Sequence, residues 1–337
     1  MTAISPTRKP AVTTASLTPL TWTADVLAGF EQTTLSSTPA ADGPIEIVLV
    51  RRRHPQPGSA AVLYVHGFVD YFFQIHLADF YAAQGLHFYA LDLRRHGRSL
   101  RPHQLPNFTT DIDEYLADID VAIAALSAHE QVDWLLLNGH STGGLVAALY
   151  AHRGTRRQQV DAVFLNSPFL DMNIPAWQAR LVEPLLAALG GVFPKMRLPG
   201  LSPVYAQSIH ANFHGEWNFD TRWKPIDGFP IYAGWFRAIH QAQEEVARGL
   251  AIACPCLVLH AERSLWPKAW SEAVMGADTV LNVADMRRLA PGLGRQVETH
   301  AILGGMHDLV LSPPAARERV WQTLGPWLAR CRSQQVP

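Results

Sequence analysis

The sequence predicts an α/β fold, a mostly parallel sheet with helices on both faces and an inserted, mainly helical segment. Three observations predict it. Short apolar runs alternate with helical periodicity through the first half of the chain. That rhythm breaks between about residues 171 and 253. It then resumes with two more strand-like runs and a closing helix. The predicted division is a flexible arm over 1–20, a core over 21–172 and 253–337, and an insertion over 173–252 folded over the core as a cap.

The elements follow in order. Ile45 to Val50 alternates as a half-buried strand near a sheet edge, and Arg51-Arg52-Arg53 reads as its solvated end. Ala61 to Val65 is a short buried strand leading into His66-Gly67-Phe68. Phe72 to Ala83 has helical spacing, with Gly85 as its C-cap. His87 to Leu93 is strand-like and opens into Arg94-Arg95-His96-Gly97-Arg98-Ser99. Asp111 to Ser127 is an amphipathic helix with Ile112, Tyr115, Leu116 and Ile119 on one face. Trp134 to Leu137 and Val160 to Leu165 are strands, with a small-residue helix from Gly144 to Tyr150 between them. No clear strand is read from Asp171 to Ala253. Strands return at Pro255–His260 and Glu298–Leu303, and a helix from Ala315 to Cys331 closes the chain.

Composition excludes several classes. The 337 residues are 48% hydrophobic, enough for a large core, and the net charge of −1 gives no footprint for nucleic acid or an acidic membrane surface. Three cysteines make no disulfide framework and no zinc spacing, so no metal or cofactor is expected. Residues 1–20 are rich in Thr, Ala, Ser and Pro and lack the apolar stretch of a secretory signal. With no run of about 18 apolar residues, no integral membrane segment is expected, and a cytoplasmic location is. Oligomeric state is not legible.

The chemistry starts at Gly139-His140-Ser141-Thr142-Gly143, between a strand and a helix. A pentapeptide of this kind is also compatible with a simple turn in which Ser141 caps the helix. A nucleophile elbow needs a strand, a very tight turn and a helix, with glycines where strand and helix approach. Ser141 is the candidate nucleophile. Its base should come from another loop at the carboxyl ends of the strands. His307, in Gly304-Gly305-Met306-His307-Asp308, follows the last strand and precedes the last helix. The backbone N–H groups of Thr142 and Phe68 are the candidate oxyanion donors.

These pieces resemble the α/β-hydrolase superfamily, and within it the branch of monoacylglycerol lipases, lysophospholipases and serine aminopeptidase-type hydrolases. The resemblance rests on His66-Gly67-Phe68, Asp92-Leu93-Arg94-Arg95-His96-Gly97-Arg98-Ser99, the Ser141 pentapeptide and the His307 segment, and spans about residues 45–330. The family pattern has glycine where Arg95 stands. It also implies an aspartate a few residues after the strand ending at His260, where this chain has Ser264. Serine carries no charge to stabilise an imidazolium. Asp278 is the favoured replacement, displaced by a short insertion containing Trp266 and Trp270. Glu262 is the runner-up, and Asp278 as a mere helix cap is the third reading.

The predicted insertion carries many aromatic residues. Most such residues form an insertion's own core, yet a cap over a serine site must present some apolar surface to the cleft. His66, Gly67, His140, Trp177, Trp217 and Trp235 are the expected substrate contacts. Glu216, Asp220 and Asp227 are the nearby acids available for a peptide amino terminus, and they make no compact cluster. The resemblance implies hydrolysis of carboxylic esters, with a small lipophilic monoester such as a monoacylglycerol or lysolipid as the partner. Amide or peptide hydrolysis by the same site, and a non-catalytic binding protein on the same fold, are the alternatives.

Overall fold

The structure is a computed structural model describing residues 19–40, 42–56, 58–172, 184 and 186–333. The strands are β1 (Thr23–Ala24), β2 (Glu31–Ala40), β3 (Gly43–Arg52), β4 (Ala60–Val65), β5 (His87–Asp92), β6 (Trp134–His140), β7 (Ala162–Asn166), β8 (Arg197–Leu198), β9 (Ile231–Tyr232), β10 (Cys256–Ala261) and β11 (Val297–Ile302). Nine of them form one sheet in the order β1-β2-β3-β5-β4-β6-β7-β10-β11. From β5 to β11 every pairing is parallel, whereas β1, β2 and β3 add on as an antiparallel edge.

The parallel strands β4, β5, β6, β7 and β10 are buried at every position, as strands covered on both faces must be. Alternation splits β4 between two cores. Ala61, Leu63 and Val65 face one, and Ala60, Val62 and Tyr64 the other. Helices α1 (Ile75–Ala83) and, at the chain's end, α7 (Pro314–Ser333) cover the second face. Helices α2 (Asp113–His129), α3 (Thr142–Arg153) and α5 (Ala233–Ala247) cover the first. Two short helices, α4 (Val204–Ile209) and α6 (Val283–Leu289), follow β8 and β10 in the chain.

Between β7 and β10 the chain leaves the sheet, as expected. It is not wholly strand-free, because β8 and β9 pair antiparallel in a small second sheet. Two residues per strand leave too short a pattern for periodicity to register. The end of this segment joins the main core: Trp235, Ile239, Ala242 and Val246 of α5 pack into the same cluster as α2 and α3. The expected arm lies outside the described residues apart from Pro19 and Leu20, and Leu20 packs against that cluster.

The strand β2 had no apolar signature. In Glu-Gln-Thr-Thr-Leu-Ser-Ser-Thr-Pro-Ala only Thr33 and Leu35 are buried, so pairing with β3 rather than hydrophobic alternation defines it. At the Arg95 position φ is +61°, a left-handed conformation that glycine adopts without strain. The buried guanidinium offsets this with bonds to Asp42 (2.5 Å) and the Phe108 carbonyl (2.9 Å).

The tightest packing joins β4, β6 and α3. A Cβ on Gly143 would lie 2.2 Å from the His66 carbonyl oxygen and 2.3 Å from that of Val65, and one on Gly139 would lie 2.3 Å from the Gly143 oxygen. Gly143→Ala is therefore expected to destabilise the fold by about 1–3 kcal/mol, seen as a lower urea midpoint. An unchanged midpoint would mean that the turn can open to admit a methyl group.

Candidate active site

The chain runs from β4 to β5 on one side of the sheet and returns to β6 on the other, so the strand order reverses between β4 and β6. A crevice opens at the carboxyl ends of strands at such a point. The register Val65↔Gly139 puts the two strand ends side by side, and a Cβ on Gly67 would lie 3.1 Å from the Ser141 Cβ. Ser141 has φ +54° and ψ −118°, a strained conformation for a residue with a side chain. Its N–H donates to the Asn166 carbonyl (3.0 Å), and its own carbonyl accepts from the Gly144, Leu145 and Phe169 amides. The hydroxyl caps no helix amide. It lies 3.0 Å from Nε2 of His307.

His307 sits between β11 and α7, and its Nδ1 is 2.9 Å from Oδ2 of Asp278. The other carboxylate oxygen accepts from the Val280 and Leu281 amides, both at 2.8 Å. Asp278 is fully buried. Its position follows from how the chain loops after β10. The Asp278 N–H donates to the Arg263 carbonyl (3.0 Å), and the Leu265 N–H donates to the Asp278 carbonyl (2.9 Å). The excursion between them thus returns the aspartate to the flank of Ser264. Ser264 donates to the Leu281 carbonyl (2.8 Å) and accepts from Val283 N–H (2.9 Å), tying down the returning segment. The Asn282 side chain caps α6, so Asp278 is free of that task. Glu262 is exposed, and its backbone rather than its carboxylate is engaged, the carbonyl accepting from Arg287 and the N–H donating to the Ile302 carbonyl. Of the two carboxylates expected, the structure brings Asp278 and not Glu262 to the imidazole.

Phe68, Thr142, Ser141 and His307 line a cleft of about 400 Å³. Its walls are apolar, built by Phe169, Leu201, Ile226, Phe236, Trp266 and Val280, with Trp235 tilted against Phe68 at 4.1 Å between ring centroids. Gly67, His140 and Trp235 line this cleft. The His140 Nδ1 is 3.2 Å from the Asn166 carbonyl, and burial holds its imidazole below the ordinary pKa against the opposing pull of Asp308.

Two expected substrate contacts are elsewhere. His66 is fully buried beneath the loop, its Nδ1 2.8 Å from the Gly67 carbonyl and its Nε2 accepting from Leu93 N–H. It braces the turn. Trp217 donates to the Leu311 carbonyl (2.8 Å) and stacks on His76 at 4.3 Å, so its surface is spent on the core and not on the cleft. Trp177 lies outside the described residues.

Sequence reasoning missed two groups. Behind His307, the Asp308 carboxylate accepts from Asn166 (2.7 Å) and Gln74 (3.2 Å), while Tyr205 Oη accepts from the Asp308 N–H (3.2 Å). In the cleft, Lys224 donates to Asp70 at 2.8 Å. Burial works against ionised Asp70, but the Lys224 ammonium holds its carboxyl below the usual range. These partners are 154 positions apart, so no local pattern could pair them. No helix among the described residues is long and apolar enough to cross a membrane.

This fold, with a serine on a strained turn at the switch point, defines an α/β-hydrolase. The chain belongs to the serine aminopeptidase S33 family, whose profile matches residues 56–314. It is 28% identical over 243 residues to a monoacylglycerol lipase of Mycolicibacterium smegmatis, covering 70% of this chain and 81% of that one. Among solved structures, a soluble variant of the Saccharomyces cerevisiae monoglyceride lipase has a TM-score of 0.64 at 15% identity, with 88% and 96% of the two chains covered. A thermophilic esterase from Thermogutta terrifontis has 0.57 at 18% identity, with 88% and 98% covered.

The Asp278 geometry makes a sharp expectation. Asp278→Asn should lower hydrolytic turnover by up to about 10⁴-fold, whereas Glu262→Gln should leave it near wild type. The reverse pattern in steady-state rates would transfer the acid's role to Glu262.

Proposed function

We propose that the protein hydrolyses carboxylic esters, with lipophilic monoesters such as monoacylglycerols or lysolipids as substrates, through an acyl-enzyme on Ser141. The observation that carries this reading is the hydrogen-bonded line from Ser141 through His307 to buried Asp278 at the floor of an apolar cleft. His307 takes the hydroxyl proton as Oγ attacks the ester carbonyl. The Phe68 and Thr142 amides meet the oxyanion. His307 then protonates the departing alcohol, and water, activated by the same imidazole, releases the acid and restores Ser141. Asp278 holds the imidazole in orientation and balances the imidazolium charge.

The apolar walls favour an acyl chain over a charged substrate, in keeping with relatives named for monoacylglycerol or monoglyceride hydrolysis. Aminopeptidase action would need a carboxylate for the substrate ammonium. The cleft's acid, Asp70, is already paired with Lys224; Glu216 pairs with Arg317 and Asp220 with Arg222.

A fluorophosphonate probe should label the wild type and not Ser141→Ala. In a panel of short and long p-nitrophenyl esters and aminoacyl anilides, kcat/KM should be highest for the longer esters. No labelling of folded wild type would favour a binding protein instead, and preference for the anilides would favour peptide hydrolysis.

A further inference from the structure

Lys224 is the sole Lys or Arg, and Asp70 the sole Asp or Glu, among the described residues lining the cleft. Both are almost wholly buried, with side-chain exposures of 7% and 3%. Burying such a pair is costly, and similar pairs can often be replaced by apolar residues without loss of stability. Stability alone is thus a weak reason for this one, and its location suggests another. Asp70 lies two residues after Phe68, on the loop that leaves β4. Val69, between them, has φ +50°, an outlier for a β-branched residue that persists only if its surroundings enforce it. The Lys224 ammonium spans both neighbours, 2.8 Å from the Asp70 carboxylate and 3.5 Å from the Val69 carbonyl oxygen.

Lys224 is brought there from the segment between β7 and β10. The turn preceding it docks on the same loop: Asp220 N–H donates to Tyr71 Oη (2.7 Å), Trp223 packs edge-on to Tyr71, and Phe219 against Phe73. On the other flank Trp235 lies against Phe68.

We propose that Lys224 is a positioning residue. By gripping Val69 and Asp70 it holds the strained loop so that the Phe68 N–H faces the oxyanion, and it makes oxyanion stabilisation depend on the inserted segment being seated. The inference rests on the ester-hydrolase reading above. Lys224 has no proton-transfer role in it.

The test compares Lys224→Met, Asp70→Asn and the double variant Asp70→Leu/Lys224→Met, each checked for folding by circular dichroism and thermal melting. Fluorophosphonate labelling and p-nitrophenyl ester kinetics supply the readouts. Lys224→Met should lower kcat by between about tenfold and the 10²–10³-fold that follows outright loss of an oxyanion donor. Its KM should move less than about threefold, and labelling should slow in parallel. Asp70→Asn should show the same split to a smaller degree. The double variant leaves no unpaired buried charge, so it should melt near the wild-type temperature yet remain slow. Recovery of kcat together with melting temperature in the double variant would overturn the proposal, leaving the pair a stabilising one. A rise in KM at unchanged kcat in Lys224→Met would overturn it too, making Lys224 a substrate contact. Wild-type protein that the probe does not label would overturn the Ser141 reading, and this inference with it.

Discussion

The close approach of the β4 loop to the turn after β6 is the constraint on which the rest of the site depends. No side chain fits between Gly143 and the carbonyls of Val65 and His66, and Gly67 leaves little more room beside Ser141. Beside that contact Ser141 has a strained backbone conformation and lines the cleft at the end of the sheet. The proposed oxyanion donors, the Phe68 and Thr142 amides, belong to the two segments that this contact joins. Strain of this kind survives because neighbours over-determine it. Here Asn166, Gly144, Leu145 and Phe169 fix the Ser141 backbone, while His66 braces the facing loop from beneath.

Around this contact the cleft walls are apolar, and the buried carboxylates come with partners. Asp278 faces His307 with one oxygen and two backbone amides with the other; Asp308 is bound by Asn166 and Gln74; Asp70 is met by Lys224. In an apolar setting an unpaired charge would be expensive, whereas a paired one is held at a fixed orientation. The same pairing that makes these groups tolerable therefore also makes them rigid. A proton-transfer line needs that rigidity, since the imidazole must present one nitrogen to the serine and the other to the acid.

The parallel sheet and its helices were legible in the sequence because strands buried on both faces are written as continuous apolar runs, and helices as periodic ones. The elbow was legible for a local reason too, since glycines flank Ser141 where space is shortest. His307 was legible from its place after the last strand. β2 was not, because its ten residues bury only Thr33 and Leu35 and it is held by pairing. His66 and Trp217 were read as cleft residues from their neighbourhood in the chain, but each spends its polar atoms on the scaffold.

By itself, then, the sequence determined the α/β plan, the serine on its turn and the imidazole after the last strand, each written in residues close together in the chain. Tertiary structure decided what depends on distant residues meeting. It set Asp278, and not Glu262, beside His307, with the bridge from Arg263 and Leu265 to Asp278 folding the excursion back. It also joined Lys224 to Asp70 across 154 positions, a pairing that exists only once the inserted segment lies on the loop beside Ser141.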